Sequence, residues 1–543
     1  MTQRRAVGLC LVVLLAVSGC SLLTGNQPPV AIIEALPTRG SAPLQVEFDG
    51  SRSFDPNGLL VHYEWALGDG TRMEGPRVSH VYERNGVYLV TLVVSDQFGA
   101  SDQDRLRIVV GNPPPQAIFT ASPISGWPPL SVSFDASASI DPEGDSVANY
   151  EWDFGDGKHA RGAQATHIYP KAGQFLVQLT ITDREKAEST ATLAVNVLDF
   201  MSVRDLRVGH SPVDSLVRDL DDDGALDIAV ANSESNELSL FFGGAAVGMF
   251  TEEKRIPVGR RPVALTAGDF DRNGRLDLAV AQLESGSVSL LFNDGSRDFK
   301  RRDEILVGRW ISAISSTDFN RDGFLDLVVA DADVDQVTLL LGDGAGRFEL
   351  AASFPTGSWP AAFASGDFNG DSRPDLAVAN FQGDSVTLLF GDGLGTLRQG
   401  DALSVGQGPV ALVSADLNGD EIPDLVVANS KGASLSVLLG TGGGRFGTAS
   451  VIRVGKGVHA LTVGDFDQDG FPDLAPANSG NDTVTLLLND GSGRFTIPLQ
   501  ARDYSVDDNP TSVAAGDFNR DGFLDLVILQ FWGDRISILL NQL

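Results

Sequence analysis

The sequence predicts an all-β protein built from many short strands. The 543 residues include 60 glycines and 26 prolines, and 42% of the residues are apolar, a composition that favours strands and turns over long helices. Short segments of alternating apolar and polar residues recur in two kinds of repeat, one of about 85 residues and one of about 50 residues. Such a chain is long enough for three or four hydrophobic cores.

Charge and cysteine content exclude two classes of protein. Acidic residues number 72 against 40 basic ones, for a net charge of −32, so nucleic acid is not expected as a partner. Two cysteines do not make a disulfide framework.

The first 19 residues have the pattern of a signal peptide. Arg4 and Arg5 precede an apolar stretch that ends at Gly19 and is too short to span a bilayer. No later segment is apolar enough to span a membrane, so we expect the body of the protein to lie outside the bilayer.

The end of this signal, Val17-Ser18-Gly19-Cys20, resembles a bacterial lipobox. The resemblance implies cleavage before Cys20 and acylation of that residue, and Ser21 in the next position implies delivery to the outer membrane. We therefore expect an outer-membrane lipoprotein facing the periplasm or the cell surface, with residues 20–27 as a linker. An ordinary secretory signal with a chance cysteine is the alternative.

Two successive stretches of about 85 residues repeat one pattern, and each opens with a pair of prolines. Each contains a Tyr-Glu-Trp segment, a Gly-Asp-Gly turn and a long alternating strand, so one face of that strand is expected to be buried. Both stretches resemble polycystic-kidney-disease (PKD) domains, which implies immunoglobulin-like β-sandwiches at residues 28–111 and 112–198. We interpret Trp65 and Trp152 as core residues because each lies inside an alternating strand. Such domains commonly act as spacers.

From residue 201 onward an aspartate-rich loop recurs seven times at intervals of 49 to 52 residues. A period near 50 residues with four short strand patterns is typical of the blades of a β-propeller. The repeats resemble FG-GAP and VCBS repeats, as in the integrin alpha-chain head, which implies a seven-bladed propeller at residues 199–543. The last repeat lacks a fourth strand, and the segment before the first loop lacks strands one to three. The strand near Met201 to Leu206 is therefore predicted to complete the last blade and close the ring.

The seven loops are candidate metal sites. Each follows Asp-x-[Asp/Asn]-x-[Asp/Asn] with another aspartate at position nine, so alternate oxygens can converge on one hard cation and the carbonyl at position seven can add a ligand. The predicted side-chain ligands are Asp219, Asp221, Asp223 and Asp227; Asp269, Asp271, Asn273 and Asp277; Asp318, Asn320, Asp322 and Asp326; Asp367, Asn369, Asp371 and Asp375; Asp416, Asn418, Asp420 and Asp424; Asp465, Asp467, Asp469 and Asp473; and Asp517, Asn519, Asp521 and Asp525. The predicted backbone ligands are Ala225, Arg275, Phe324, Arg373, Ile422, Phe471 and Phe523.

Calcium is the expected occupant, with up to seven structural ions. An EF-hand loop begins similarly but requires flanking helices and a glutamate at position twelve, where these loops have strand residues such as Val230. The alternative is that the aspartates merely cap turns, but three or four carboxylates within one turn repel each other unless a cation is present. In the fourth and fifth loops, Ser372 and Glu421 replace the glycine that permits a sharp turn at position six.

The other face of the predicted propeller is the candidate ligand surface. In a propeller, the loops from strand four to strand one and from strand two to strand three lie opposite the metal loops. These loops diverge between repeats and carry aromatic and basic residues, which are common anchors at interfaces. The candidate ligand-binding residues are His210, Arg260, Arg261, Arg309, Trp310, Trp359, Phe381, Lys456, Trp532 and Arg535.

The functional expectation is a membrane-anchored, extracytoplasmic calcium-binding propeller on PKD spacers, which recognises an envelope or cell-surface protein or acts in cell adhesion. A lectin-like glycan-binding protein is the alternative, and a polysaccharide-acting enzyme is the third. The sequence contains no His-Glu-x-x-His, Gly-x-Ser-x-Gly or Walker lysine motif, so no catalytic residue is assigned.

Overall fold

The protein is all-β throughout the part of the chain described by the computed structural model. That part comprises residues 26–142, 146–244, 250–302, 304–493, 495 and 501–543, and it contains 47 strands and no helix. It accordingly has no helix that could cross a membrane. The predicted signal peptide at residues 1–19 and the predicted lipidation site at Cys20 lie outside the described residues.

The first sandwich packs a three-stranded sheet, in the order β1-β3-β6, against a five-stranded sheet, in the order β2-β8-β7-β4-β5. Its strands are β1 (Glu34–Leu36), β2 (Arg39–Gly40), β3 (Leu44–Asp49), β4 (Leu60–Ala66), β5 (Arg72–Glu74), β6 (Arg77–Tyr82), β7 (Gly86–Asp96) and β8 (Ser101–Val110).

The second sandwich repeats this topology, with sheets in the orders β14-β11-β9 and β10-β16-β15-β12-β13. Its strands are β9 (Thr120–Ser122), β10 (Ser125–Gly126), β11 (Leu130–Asp135), β12 (Asn149–Asp153), β13 (His159–Arg161), β14 (Gln164–Tyr169), β15 (Gly173–Thr182) and β16 (Glu188–Val197).

A tryptophan lies at the centre of each sandwich. Trp65 is 0% exposed and Trp152 is 1% exposed, which confirms the interpretation of both as core residues. Each indole N–H donates to a backbone carbonyl at 2.8 Å, to Gly75 in the first sandwich and to Gly162 in the second. The only polar atom of each ring is therefore hydrogen-bonded inside the core.

The remainder of the chain forms seven sheets of four or five strands, which we number in chain order as repeat sheets one to seven. Sheet one contains β18 (Pro212–Arg218), β19 (Asp227–Asn232), β20 (Glu237–Gly243) and β21 (Phe250–Pro257). Sheet two contains β22 (Pro262–Gly268), β23 (Asp277–Gln282), β24 (Ser287–Asn293), β25 (Phe299–Arg301) and β26 (Ile305–Leu306). Sheet three contains β27 (Ile311–Thr317), β28 (Asp326–Asp331), β29 (Gln336–Gly342) and β30 (Phe348–Pro355). Sheets four and five contain β31 (Pro360–Gly366), β32 (Asp375–Asn380), β33 (Ser385–Gly391) and β34 (Leu397–Ser404); and β35 (Pro409–Ala415), β36 (Asp424–Asn429), β37 (Ser434–Leu438) and β40 (Ser450–Arg453), with the small hairpin β38 (Gly440–Gly442) and β39 (Arg445–Phe446) beside the fifth.

The last sheet, but not the sixth, ends with a strand from the start of this region. Sheet six contains β41 (Val458–Gly464), β42 (Asp473–Asn478), β43 (Thr483–Leu487) and β44 (Ala501–Ser505), and sheet seven contains β45 (Pro510–Gly516), β46 (Asp525–Gln530), β47 (Arg535–Asn541) and β17 (Phe200–Arg207). β17 pairs antiparallel with β47, from Phe200 opposite Asn541 to Arg207 opposite Arg535. This pairing confirms that the N-terminal strand of the repeat region completes the last repeat.

Each repeat sheet packs against its neighbours through apolar side chains. The second strand of every sheet is buried along its whole length, as in β32, because sheets cover it on both sides. The first strand of each sheet contacts the first strands of the sheets before and after it, and β18 of sheet one contacts β45 of sheet seven. Within the described residues the seven sheets remain separate, and none closes on itself as a barrel.

Sheet six has a gap in its strand pairing at Pro476. Pro476 lies opposite Leu461 of β41, but the pairing of β42 with β43 passes from Leu474 directly to Ala477. Proline has no N–H to donate to the ladder, which explains the interruption.

Candidate metal centres and the opposite face

Each acidic loop connects the first and second strands of a repeat sheet and is organised by its position-one aspartate. In loop one, the N–H groups of Asp223 and Gly224 donate to the two carboxylate oxygens of Asp219 at 3.2 and 2.8 Å. The same position-six N–H bond recurs in every loop, with lengths of 2.7 to 3.0 Å. Its donors are Gly224, Gly274, Gly323, Ser372, Glu421, Gly470 and Gly522.

The fourth and fifth loops keep this geometry without glycine at position six. Ser372 and Glu421 adopt left-handed backbone conformations, with φ of 62° and 63°. Position four is also left-handed in all seven loops, and only these two loops have glycine there, Gly370 and Gly419. The glycine that relieves backbone strain has thus moved by two positions. The position-six substitutions therefore do not disrupt the fold of either loop.

The position-nine aspartates are fully buried and bond to the backbone of their own sheets. In loop one, Asp227 Oδ2 accepts the N–H of Leu220 at 2.7 Å, and Oδ1 accepts the N–H of Gly243 at 2.7 Å. Burial, together with a smaller effect of the neighbouring carboxylates, raises the pKa of Asp227 to about 7. All seven members are 0% exposed: Asp227, Asp277, Asp326, Asp375, Asp424, Asp473 and Asp525. These residues hold the acidic loop to the third strand.

Three loops bring three carboxylates together. The ligand atoms of these groups lie within 4.8 Å of one another in the sets Asp219, Asp221 and Asp227; Asp269, Asp271 and Asp277; and Asp465, Asp467 and Asp473. These are the loops with aspartate rather than asparagine at position three. Clustered carboxylate oxygens are the donors that calcium prefers, so these groups could hold metal ions.

Loop six gives the best fit to a cation. Asp467 is 0% exposed, and its Oδ2 atom has no hydrogen-bond partner among the described residues. Burial raises the pKa of Asp467 to about 7. Burial and the charge of Asp467 together raise the pKa of Asp473. A buried carboxylate oxygen without a partner is costly unless a cation binds it.

Loop one has a basic partner that sequence reasoning missed. Arg297, in the connection between the third and fourth strands of sheet two, places Nε 2.5 Å from Asp221 Oδ2 and Nη2 3.4 Å from Asp223 Oδ2. The guanidinium already compensates part of the charge that a metal ion would compensate here. We therefore expect a cation to bind less tightly at loop one than at loop six.

On the opposite face, the structure brings two of the predicted ligand-binding residues together. The rings of Trp310 and Trp359 meet edge to face with centroids 5.4 Å apart, and Trp310 is 46% exposed. Trp532 is 69% exposed and packs edge-on against Phe531 at 4.8 Å. Exposed tryptophans of this kind are common in binding surfaces.

Most of the basic residues on this face have acidic neighbours. Arg260 and Arg261 both pair with Glu284, at 3.3 and 3.6 Å, beside a groove of about 500 Å³. The other pairs join His210 to Asp534 at 2.7 Å, Arg309 to Asp333 at 3.8 Å, and Arg535 to Asp205 at 3.5 Å and to Asp507 at 3.4 Å. Pairs this exposed contribute little to stability, so these side chains can exchange partners.

Lys431 is a further residue on this face that sequence reasoning missed. Its ammonium group lies 4.1 Å from the ring centroid of Phe381, a cation–π contact. Lys456, which was predicted, is exposed. The sequence signal for Lys431 is its place in the turn after the second strand of sheet five.

Comparisons with known families and proteins agree with this architecture. A family model described as an FG-GAP-like repeat matches residues 219–280, 318–378, 367–427, 416–476 and 465–528, together half of the chain. The chain belongs to the FG-GAP-like repeat family. A model described as a PKD domain matches residues 26–110 and 112–197 of this FG-GAP-like repeat protein.

Curated relatives match the FG-GAP-like repeat protein only in its PKD regions. The pre-pro-metalloprotease PrtV of Vibrio cholerae serotype O1 is 32% identical over 147 residues, which cover 27% of this chain and 15% of PrtV. The collagenase ColA of Clostridium perfringens is 34% identical over 122 residues, which cover 22% of this chain and 10% of ColA. The chain therefore matches a small part of each relative, and no catalytic domain is among the matched parts.

Two solved structures are similar to parts of this chain. The PKD1 domain of the Vibrio cholerae metalloprotease PrtV is 32% identical, covers 16% of this chain and 98% of that domain, and has a TM-score of 0.14. BBS1N in complex with ARL6DN is 16% identical, covers 63% of this chain and 96% of that chain, and has a TM-score of 0.47. At these TM-scores, neither likeness bears on function.

Proposed function

We propose that this protein is a membrane-anchored, extracytoplasmic recognition or adhesion module in which two PKD spacers present a calcium-stabilised, seven-bladed propeller. The observation that carries the proposal is the contrast between the two faces of the repeat sheets. One face repeats the same acidic loop seven times, whereas the other carries exposed aromatic and basic residues that differ from sheet to sheet. A uniform face suits a structural role, and a varied face suits the selection of a partner.

Contacts between the first and last repeat sheets support a closed ring. Val217 and Ile228 of sheet one share a buried apolar cluster with Val527 and Ile538 of sheet seven. β17 begins the repeat region and is the outermost strand of sheet seven, so it ties the two ends of that region together. A ring sealed in this way presents its loops on a rigid frame.

The acidic loops support calcium as a structural ion. Extracellular calcium sites have dissociation constants of about 0.1 to 1 mM, so about 1 mM calcium would stabilise the fold by roughly 0.4 to 1.4 kcal/mol per site. Seven such contributions would match the stability of a whole domain.

The partner is proposed to be a protein of the envelope or of a cell surface. The test immobilises the full chain and measures its binding to outer-membrane protein extracts and to intact cells, with any captured protein identified and then purified for titration. Trp310→Ala and Trp532→Ala should each weaken binding by about tenfold or more, the effect of losing an aromatic anchor. Leu394→Ser is the matched control, because Leu394 is 80% exposed but lies beside the metal loops. Equal losses in all three variants, or none, would reject this face as the binding surface.

A glycan ligand is the second candidate, favoured by the exposed rings of Trp310 and Trp532. Sugars stack on aromatic faces of this kind, and neighbouring arginines suit acidic sugars. A glycan array probed with the wild type and the same three variants separates the two candidates. Binding to a defined glycan that depends on Trp310 would favour a lectin, and its absence would favour the protein partner.

Membrane anchoring through Cys20 is the remaining part of the proposal. It rests on the lipobox-like sequence Val17-Ser18-Gly19-Cys20, and PKD and FG-GAP-like domains are consistent with an extracellular or cell-surface location. The two PKD domains would then hold the repeat sheets away from the bilayer.

A further inference from the structure

The second PKD domain touches the sixth acidic loop directly. The Asn196 side chain, which is 7% exposed, donates from Nδ2 to the backbone carbonyl of Asp467 at 2.7 Å. Ser125 pairs with Asn196 across the parallel strands β10 and β16 and interacts with the Asp467 carboxylate. Two polar residues of one domain thus contact a single position-three aspartate of another.

The first PKD domain lacks these contact residues at the equivalent positions. Arg39 pairs with Val109 in the strand register that Ser125 and Asn196 occupy in the second domain. The two domains therefore share their fold but differ where the second one touches loop six. A general spacer role does not require this difference.

The junction around loop six is short and packed. β16 ends at Val197 and β17 begins at Phe200, so two residues separate the second PKD domain from the first strand of the repeat region. Trp127 packs against Tyr504 of sheet six with ring centroids 6.2 Å apart, and Arg502 lies 5.8 Å from the Trp127 ring. Leu198 and Phe200 are buried in one cluster with Phe466, which follows the first residue of loop six.

Loop six also differs from the other two three-carboxylate loops at position three. Asp467 is 0% exposed, whereas Asp271 is partly exposed, and the buried Asp221 side chain of loop one is paired with Arg297. Asn196 bonds to the backbone carbonyl of Asp467 and not to its side chain. The Oδ2 atom of Asp467 therefore remains without a hydrogen-bond partner among the described residues. A buried oxygen of this kind, beside Asp465 and Asp473, is an available ligand for a cation.

We propose that the second PKD domain shields the sixth metal site from solvent, so that a calcium ion held by Asp465, Asp467 and Asp473 exchanges slowly. The bound ion in turn keeps this domain packed against the repeat sheets. The inference deepens the proposed function, because it rests on calcium binding by the acidic loops. Since binding and docking both act on Asp467, each must favour the other to the same extent. The recognition face would then be held at a fixed angle to the spacers only while this ion is bound.

The first test follows calcium release from the calcium-loaded full chain after rapid mixing with a fluorescent chelator. The wild type should show one slow phase of about one calcium per chain, in addition to faster release. Asn196→Ala should accelerate this phase roughly 2- to 10-fold, the effect of one hydrogen bond of ordinary strength. Trp127→Ala, which removes the ring contact with Tyr504 at the junction, should also accelerate it, and Asp467→Asn should abolish it.

Asp271→Asn is the matched control, because it makes the same change at position three of loop two. It should alter the fast release and leave the slow phase unchanged. If neither Asn196→Ala nor Trp127→Ala accelerates the slow release, the second PKD domain does not shield the sixth metal site, although calcium binding itself would stand. If the chain releases no calcium at all, the proposed function itself would be wrong in its calcium-stabilised propeller.

The second test measures hydrogen exchange at the junction. The N–H groups of Asn196 and Leu198 donate to the carbonyls of Ile124 and Gly126, so their exchange reports on the end of β16. Calcium should slow this exchange in the wild type and in Asp271→Asn but not in Asp467→Asn. The equivalent amides of Val109 and Gly111 in the first PKD domain are the internal reference. Equal hydrogen exchange with and without calcium in the wild type would contradict the proposal that the bound ion keeps the second PKD domain packed against the repeat sheets.

Discussion

Asp534 Oδ1 accepts the backbone N–H of Ser211 at 3.0 Å, a bond between residues 323 positions apart in the chain. Asp534 lies in the turn before β47 of sheet seven, and Ser211 precedes β18 of sheet one. Both residues have left-handed backbones, with φ of 45° and 57°. The bond therefore joins the last repeat sheet to the first.

Equivalent hydrogen bonds join four pairs of sheets that are consecutive in the chain. Their acceptors are the turn residues Asn236, Asp335, Asp384 and Asp482, and their donors are Arg261, Trp359, Gly408 and Asn509. The contact between sheets seven and one is thus made as an ordinary neighbour contact, which is the relationship expected in a ring.

Asp534→Ala should lower the free energy of unfolding by about 0.5 to 1.5 kcal/mol, the net contribution of the hydrogen bond from Ser211, because the pair with the exposed His210 contributes little. Asp335→Ala is the internal comparison, because it removes the same bond between sheets three and four. Chemical denaturation of both variants measures the two losses. A loss at Asp335 without one at Asp534 would contradict contact between the last and first sheets.

Ala433→Asp should have the opposite effect. Ala433 occupies the equivalent turn position in sheet five with φ of 46°, where aspartate is better tolerated than alanine. The new carboxylate would accept the N–H of Gly457, whose φ of 64° matches that of Gly408 at 67°. We expect a gain of about 0.5 to 1.5 kcal/mol in the free energy of unfolding. An unchanged or lower value would show that the repeat geometry does not extend to this turn.

Removal of calcium should lower the melting temperature of the repeat sheets by many degrees. The physical reason is repulsion among the acidic groups of each loop, which bound cations relieve. Calorimetry with and without a chelator measures the shift, and the transition of the first PKD domain is the reference. An unchanged melt of the repeat sheets would reject structural calcium.

Asp375→Asn should destabilise the protein by about 1 to 3 kcal/mol, because an amide nitrogen cannot accept the N–H groups that the buried carboxylate accepts. Asp375 Oδ1 accepts the N–H of Gly391 at 2.8 Å, and Oδ2 accepts those of Phe368 and Asn369 at 3.0 and 3.2 Å. Denaturation at saturating calcium and in chelator measures the loss in both states.

The exposed Asp401→Asn is the control for this change. A loss seen at Asp375 only when calcium is present would show that this residue acts solely as a metal ligand. A loss in both states would establish its role in holding the loop to the third strand.

Asp214 should make stability depend on pH. It lies on β18, and its Oδ2 accepts the N–H of Leu265 in sheet two at 3.0 Å. Burial raises the pKa of Asp214 from 3.8 to about 6. Because the folded pKa is raised, the stabilising contribution of this group is complete below pH 3.8 and is lost as the pH rises through 6.

Asp214→Asn removes this titration. The variant should therefore gain stability relative to the wild type as the pH rises from 4 to 7, and the difference between the two proteins isolates Asp214 because both keep the same acidic loops. Denaturation at a series of pH values measures it. A difference that is constant across this range would contradict a raised pKa.

Cys20→Ser should release the protein from the membrane fraction, because the thiol is the predicted site of acylation. Fractionation of cells that produce the wild type and the variant measures the change. Continued sedimentation of the variant with membranes would refute a lipid anchor at this residue.

The sequence alone determined the β class, both cores around Trp65 and Trp152, the seven acidic loops and the place of β17 beside β47. These features depend on local pattern and on repetition, which a chain displays directly. The tertiary structure decided which loops acquire other partners: Arg297 reaches loop one from the neighbouring sheet, and Asn196 reaches loop six from another domain 271 residues away. Such contacts depend on how finished domains and sheets pack together, and no periodicity in the sequence encodes that packing.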